Sequence, residues 1–224
     1  MRTGLTDEGP VIRAVVSPTY EAVKDSTIAS SLLRTLGDLK VQRSGVTEMS
    51  TSFVVEVGEP LKKGGIVGTL HGGLLVRNSD VGYASLAVLA HLTRLICSNG
   101  MVAPVGEGEI VRARHRFVDV LKIEAQIVQG IAKLPEGLIR AANILSASTE
   151  RRIEGKVEDE IHEVLREAHL LRRHERAVVL AYQREPHASA FGISQAMTLA
   201  AQDATPEDRV ALEGAAGAYL AGSA

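Results

Sequence analysis

The clearest constraint on the fold is a stretch in which apolar and polar residues alternate. In residues 47–57, TEMSTSFVVEV, one face of an extended chain carries Met49, Thr51, Phe53, Val55 and Val57, and most of the other face is polar. Side chains of a β-strand point to opposite faces at every second residue, so this alternation predicts a strand with one buried face.

Two further apolar stretches continue the predicted sheet. Residues 66–77 are interrupted by Gly68 and Gly72-Gly73, which suit a β-bulge or a close backbone approach. Residues 83–97 are apolar enough for a helix or a strand. We favour a strand for their second half because Asn99-Gly100 is a strong hairpin signal, with 109–113 as the returning strand.

Helical spacing flanks this run of strands on both sides. Ser17-Pro18 resembles a helix start, with the apolar residues that follow ending at Gly37. After His115 the spacing predicts helices over 117–131, ended by Pro135, then over 136–176, 188–201 and 206–220. Thr205 as N-cap and Pro206 at the first position mark the start of the last helix.

The order of elements therefore predicts an α+β fold. Strands that are segregated from helices favour an antiparallel sheet, here over about residues 45–115, packed against helices, with a helical C-terminal half. We expect residues 1–150 to form the α+β core domain. Residues 151–224 are expected to form a helical region that packs on the core or on neighbouring subunits.

Composition narrows the class of protein. The 224 residues carry a net charge of −2, so bulk charge does not indicate a nucleic-acid partner, and any such binding needs a local patch. A single cysteine excludes an intramolecular disulfide and favours a reducing, cytoplasmic setting. No secretory signal or membrane-spanning stretch is visible, so we expect a cytoplasmic protein that does not enter membranes.

Catalytic and metal motifs are weak. Cys97 lies in an apolar run and is more simply a small buried side chain than a nucleophile. The histidines show no HxH or HExxH spacing, which disfavours zinc. The glycine-rich GEGE at 106–109 is acidic and lacks the lysine of a phosphate loop. We therefore predict no catalytic residue, metal or cofactor.

Basic clusters are the remaining candidates. Arg112, Arg114 and Arg116 alternate, with His115 among them, and in a strand they point to one side. Three like charges on one face are costly unless an anion meets them or water solvates them, and guanidinium groups suit phosphate. Arg172, Arg173, His174 and Arg176 form a second cluster, and Arg151-Arg152 form a third. A solvated face balanced by neighbouring glutamates is the alternative interpretation.

A longer pattern resembles a known family. NSDVGYASLAVLAHLTRLICSNGM followed by RHR is similar to the core signature of phage/plasmid-like proteins, a family built on a domain of unknown function. The matching positions are Asn78, Ser79, Gly82, Arg94 to Gly100 and Arg114-His115. VVSPTYEAV near the start and SAFGISQAMTLAAQD near the end also resemble that family.

The resemblance implies a role in DNA metabolism. The family occurs on phages, prophages and plasmids, often beside genes that handle single-stranded DNA and recombination. Strands followed by a long helix are loosely similar to the core of Rad52-like annealing proteins, which is an analogy of fold only. If the chain is phage-encoded, the host cytoplasm is its expected location.

Three functions follow as hypotheses. The favoured one is a homo-oligomer that binds, and in one version anneals, single-stranded DNA through Arg77, Arg94, Arg112, Arg114, His115, Arg116, Arg151 and Arg152. The second is a metal-dependent nuclease or hydrolase using Asp80, Glu107, Glu109 and His115. The third is a protein-interaction or anti-defence factor that uses the apolar stripe at 153–168 and the Ala-rich C-terminal helices.

Overall fold

A computed structural model describes residues 2–6, 9–38, 40–62, 65–94, 99–102 and 109–222. Its strands are β1 (Arg2–Thr6), β2 (Gly9–Ala14), β3 (Lys40–Val46), β4 (Thr51–Glu56), β5 (Leu61–Lys62), β6 (Thr69–Asn78), β7 (Leu86–Arg94), β8 (Asn99–Val102) and β9 (Glu109–Ala113). Its helices are α1 (Asp25–Leu36), α2 (Val120–Ala147), α3 (Val157–Glu167), α4 (Leu171–Arg184), α5 (Ala190–Ala200) and α6 (Pro206–Ala221).

The strands form one main sheet and one separate hairpin. The main sheet has the order β3-β4-β6-β7-β8, with β5 also paired to β6 and β9 also paired to β7. The β3–β4, β5–β6, β7–β8 and β7–β9 pairs are antiparallel. Strands β1 and β2 pair with each other. The predicted α+β class, with an antiparallel sheet and a helical C-terminal half, is confirmed.

Contacts divide the chain into two units that alternate along the sequence. Unit 1 consists of Met1–Glu56, Leu74–Leu89 and Glu109–Lys133. Unit 2 consists of Val57–Gly73, Ala90–Gly108 and Leu134–Ala224. The division at residue 150 that the sequence suggested stays a prediction.

Unit 1 has a core of aliphatic side chains from strands and two helices. Ile28 and Leu32 of α1 are fully buried, as are Val55 of β4 and Ile127 of α2. Gly130 shows how closely α2 approaches the strands, because a Cβ added there would lie 2.0 Å from Cγ2 of Ile110. A larger residue at Gly130 would push the helix away from β9.

Unit 2 contains the helices that follow α2. Helix α5 is buried along almost its whole length and packs against both α4 and α6, so it is the central helix of this unit. The start of α6 agrees with its sequence signals: the Thr205 hydroxyl accepts a hydrogen bond from the Asp208 N–H at 3.3 Å, and Pro206 occupies the first position.

Several predicted boundaries are wrong. Asn99-Gly100 is not the hairpin turn but the beginning of β8, with Asn99 opposite Arg94. The connection between β7 and β8 therefore falls at residues 95–98, outside the described residues. The predicted returning strand over 109–113 is confirmed as β9, which pairs with Leu86–Leu89, the first part of β7. A nine-residue strand is long enough to pair with two short partners at different positions along its length.

The helix limits also differ from the prediction. Ser17-Pro18 begins only a turn, in which the Tyr20 N–H donates to the Ser17 carbonyl, and α1 starts at Asp25 and ends, as predicted, at Gly37. Pro135 lies inside α2 instead of ending it. Pro135 is exposed and has no N–H, so the helix lacks one backbone hydrogen bond there. The packing of the adjacent buried Leu134 offsets this loss.

The predicted helix over 136–176 is interrupted twice, between α2 and α3 and between α3 and α4. At the second break, His169 has a φ of 59°, a left-handed conformation that ends a helix. Strand β4 buries the adjacent Val54 and Val55, so both of its faces are covered where the alternation predicted one.

Candidate nucleic-acid interface

The three alternating arginines are exposed, as the strand period predicts. Val111 and His115 are buried, whereas Arg112, Arg114 and Arg116 face solvent. The period of two continues past the end of β9, so the side chains turned away from the core are the charged ones. The Arg112 Nε donates to Glu109 Oε2 at 2.7 Å, a pair that is open to water on both sides.

His115 points inward instead of joining the arginines. It is 6% exposed, its Nδ1 faces the Val23 N–H at 3.5 Å and its ring lies 5.3 Å from the ring of Tyr20. His115 therefore holds the segment in place, and its ring is turned away from solvent.

Glu21 fixes the backbone on both sides of Arg116 and Phe117. Its N–H donates to the His115 carbonyl at 3.0 Å, and its carboxylate accepts from the Val118 N–H at 2.7 Å. Two hydrogen bonds from one residue thus clamp a four-residue stretch. Arg116 and Phe117 are consequently presented to solvent by a supported turn.

Hydrogen bonds of Ser79 join three segments of unit 1. The Ser79 hydroxyl donates to the Met49 carbonyl at 2.7 Å and accepts from the Tyr83 N–H at 3.0 Å. The Ser79 carbonyl accepts from the Tyr20 hydroxyl at 2.9 Å. Gly82 has a φ of 83° and approaches the Tyr20 ring closely. The role of Ser79 and Gly82 in unit 1 is to hold the Tyr20 segment and the 79–83 turn together.

An open pocket of about 440 Å³ lies between these segments of unit 1. Its polar lining includes Ser17, Ser85, Arg114 and Arg116, and its apolar lining includes Val15 and Val16. Val15 is 85% exposed. Cationic and hydroxyl donors that converge on an open pocket suit an anion such as a phosphate group.

Two exposed aromatic residues directly follow lining residues of the pocket in the chain. Tyr83 follows Gly82, which lines it, and is 51% exposed. Phe117 follows Arg116, is 70% exposed and has a φ of 51°. The Arg116 guanidinium carbon lies 5.1 Å from the centre of the Phe117 ring. A bulky residue in a left-handed conformation is strained, and such strain concentrates at functional positions.

The predicted helix over 117–131 includes Phe117, because its spacing to Val120 and Leu121 is helical. The helix begins only at Val120, where Asp119 accepts from the Lys122 N–H at 3.1 Å and so caps its start. Asp119, a residue type favoured as a helix cap, is the sequence signal that could have located this boundary.

Arg94 belongs to the interior of unit 2. It is 9% exposed, and its guanidinium donates to the carbonyls of Val67, at 3.2 Å, and Ile66, and to Oε1 of Gln195 at 3.1 Å. It also stacks over the Phe191 ring at 5.5 Å. Because its donors point at protein acceptors, Arg94 is not available to a phosphate backbone.

The other predicted basic residues differ in exposure. Arg77 is half-buried on β6 in unit 1. In unit 2, Arg152 is exposed, and Arg151 donates to the Tyr219 carbonyl at 3.0 Å and lies over its ring. Burial, together with the hydrogen bond from its hydroxyl to Glu160, raises the pKa of Tyr219 to about 12. Arg151 is therefore exposed but also packs against Tyr219.

The residues of the nuclease hypothesis also differ in their exposure. Asp80 and Glu109 are exposed and His115 is buried, and Glu107 lies outside the described residues, as does Cys97. Among the residues that the structure describes, no three His, Cys, Asp or Glu side chains group as metal ligands.

No helix in the described part of the chain is long and apolar enough to cross a membrane. Comparisons of the chain with protein-family models, with curated proteins and with solved structures found no match.

Proposed function

We propose that this protein binds single-stranded DNA through a basic–aromatic surface of unit 1, formed by Tyr83, Arg114, Arg116 and Phe117. The observation that carries the proposal is that two exposed arginines line one open pocket, and that two exposed aromatic residues directly follow lining residues in the chain. Proteins that bind single strands combine cationic contacts to the backbone with aromatic rings on which bases stack.

Arg114 and Arg116 supply the backbone contacts. Both are exposed, and both line the pocket with the hydroxyls of Ser17 and Ser85. A guanidinium group offers several donors in a plane and matches two phosphate oxygens at once. Arg112 lies on the same side of the chain but shares its charge with Glu109, so we expect it to contribute less.

Phe117 and Tyr83 supply the stacking contacts. An unpaired base exposes both of its faces, whereas a duplex buries them, so stacking favours the single strand. Aromatic residues make up only 3% of the sequence, so two exposed ones that follow lining residues of the same pocket support a stacking role. A base stacked on an aromatic ring is worth about 1–3 kcal/mol.

The net charge of −2 limits the electrostatic contribution to DNA affinity. With two principal phosphate contacts, we expect log K to fall with log salt at a slope of about −1.4 for a single strand, since each contact contributes about −0.7. Assembly of several copies on one strand would raise the overall affinity by making later contacts intramolecular. We propose such an oligomer, acting in DNA metabolism of a phage or plasmid, on the strength of the family resemblance. The finer activity, annealing of complementary strands, belongs to the same proposal.

Fluorescence anisotropy with a labelled oligonucleotide tests the binding surface, in single-stranded and duplex form and over a salt series. We expect tighter binding of the single strand. Changing both Arg114→Ala and Arg116→Ala should weaken binding and bring the salt slope close to zero. The matched control changes Arg172→Ala and Arg176→Ala, two exposed arginines of α4, and should leave both quantities unchanged.

Phe117→Gly separates stacking from folding. Glycine adopts a φ of 51° without strain, so this variant should be at least as stable as the parent protein. We expect it to lose roughly 5- to 160-fold in affinity for the single strand, following the stacking energy above, and to keep the salt slope. Equal affinity for single strand and duplex, or wild-type affinity in the double arginine variant, would overturn the proposal.

A further inference from the structure

Helix α2 carries a second apolar stripe, on its solvent side. The positions Leu121, Ala125, Val128, Ala132, Pro135 and Ile139 are all exposed. The intervals between them alternate strictly between four and three residues, which is the spacing of the contact positions in a coiled coil. Leu121 is 77% exposed and Val128 is 51% exposed.

This stripe is distinct from the face by which α2 packs into the protein. Ile123, Ile127 and Leu134 are buried and lie on the far side of the helix at about 100° per residue. A surface helix normally has one apolar face and one polar face. Helix α2 has two apolar faces, and the outer one follows the heptad spacing.

From the stripe and the charges beside it, we infer that α2 pairs with α2 of a second copy of this chain, antiparallel and about a twofold axis that crosses the stripe at the level of residue 130. In the heptad, the small residues Ala125 and Ala132 alternate with Leu121 and Val128. In the antiparallel pair, Ala132 lies level with Val128 of the second copy, so that a small side chain faces a larger one and the two helix axes can approach closely.

The flanking residues select the second copy as the occupant. One edge of the stripe carries Lys122, Gln129 and Glu136, all exposed and seven residues apart. In an antiparallel pair of identical helices, this edge meets the same edge of the other copy in reverse order. In the register that aligns the stripe with itself, the flanking residue nearest to Lys122 is Glu136 of the second copy, twice, and the one nearest to Gln129 is its own counterpart.

A parallel pair does not give this match. The edge with Lys122 would face the opposite edge of the second helix, which carries Glu124, Ile131 and Leu138. Glu124 already pairs with Arg34, and Leu138 is buried. Charge complementarity therefore favours the antiparallel arrangement, which is independent of whether the chain binds DNA.

Cysteine cross-linking tests the register on the full chain. In a Cys97→Ser background, Gln129→Cys should form a disulfide-linked dimer under mild oxidation, because residue 129 meets its own counterpart. Gln126→Cys, equally exposed on the same helix but rotated away from the stripe, is the control and should stay monomeric on denaturing gels. Equal cross-linking of the two variants would overturn the inference.

Charge exchange tests the pairing by sedimentation equilibrium. We expect Lys122→Glu and Glu136→Lys each to weaken the dimer at least tenfold, and the double exchange to restore it. Val128→Glu should abolish the dimer while leaving the far-UV circular dichroism unchanged, since Val128 is exposed. A chain that is monomeric at all concentrations, a dimer that Val128→Glu does not affect, or assembly only with a different protein would each refute it.

Discussion

Replacing Arg94 with methionine should lower the free energy of unfolding far more than replacing an exposed arginine does. Methionine keeps most of the aliphatic length and its packing on Phe191, but it removes all the guanidinium donors. The substitution therefore isolates the hydrogen bonds of Arg94. The role assigned to Arg94 by the structure predicts a large loss of stability, whereas the DNA contact suggested by the sequence predicts a small one.

The magnitude follows from the acceptors that are left behind. Val67 is 3% exposed and Gln195 is 7% exposed, so their oxygens stay buried without a donor at about 1–3 kcal/mol each. Ile66 is 42% exposed, so water can replace the lost bond to its carbonyl. The contact to Glu185, at 3.9 Å and half exposed, contributes little. We expect a loss of about 3–4 kcal/mol.

Urea denaturation followed by circular dichroism measures this loss. With a slope of about 1–3 kcal/mol per molar urea, the midpoint should fall by more than about 1 M. Arg112→Met is the matched control, and its exposed pair with Glu109 should cost less than about 1 kcal/mol. If Arg94→Met is no more destabilising than Arg112→Met, or is stable and loses DNA affinity, our account of Arg94 is wrong.

Other expected outcomes use the same denaturation assay. Gly192→Ala should destabilise by several kcal/mol or prevent folding, because the added Cβ would lie 1.9 Å from the His187 carbonyl oxygen. Gly214→Ala in α6, where no atom lies within 4 Å of the new Cβ, should stabilise by about 0.5–1 kcal/mol, and the opposite order of the two variants would contradict the packing described here. Thr205→Ala should cost about 1 kcal/mol through loss of the α6 cap, whereas Thr205→Ser should cost almost nothing. The pKa of Tyr219 is raised from 10 to about 12, so its contribution to stability is complete below pH 10 and is lost as the pH rises toward 12. Tyr219→Phe should flatten the pH dependence of the unfolding free energy in that window, and identical curves for both proteins would refute the assignment.

Local signals in the sequence predicted the class of fold and several boundaries. Segregated strand and helix periods predicted the α+β class, and the Thr205-Pro206 pair and Gly37 predicted helix ends that the structure confirms. The exposure of Arg112, Arg114 and Arg116 also follows from the period of a strand. These features depend on residues a few positions apart, where backbone geometry dominates.

Contacts between distant residues decided the remaining features. Arg94 and His115 were equally basic candidates in the sequence, yet Arg94 is buried by Val67, 27 residues away, and Gln195, 101 residues away. His115 is held by Val23, 92 residues away, and Phe117 is exposed because Glu21 clamps the turn around it. A hydrophobic or charged residue shows no local sign of which partners will reach it.

The same distinction applies to Pro135 and Asn99-Gly100. Their intrinsic preferences are for ending a helix and for turning a hairpin, at costs of a few kcal/mol at most. At Pro135, the burial of the neighbouring Leu134 opposes the preference for ending the helix. At Asn99-Gly100, the backbone pairing of Asn99 with Arg94 opposes the preference for a turn. By itself, the sequence determined the periods of strand and helix and the alternation that exposes the arginines. Only the tertiary structure decided which charged side chains remain at the surface, because burial depends on partners that are distant in the chain.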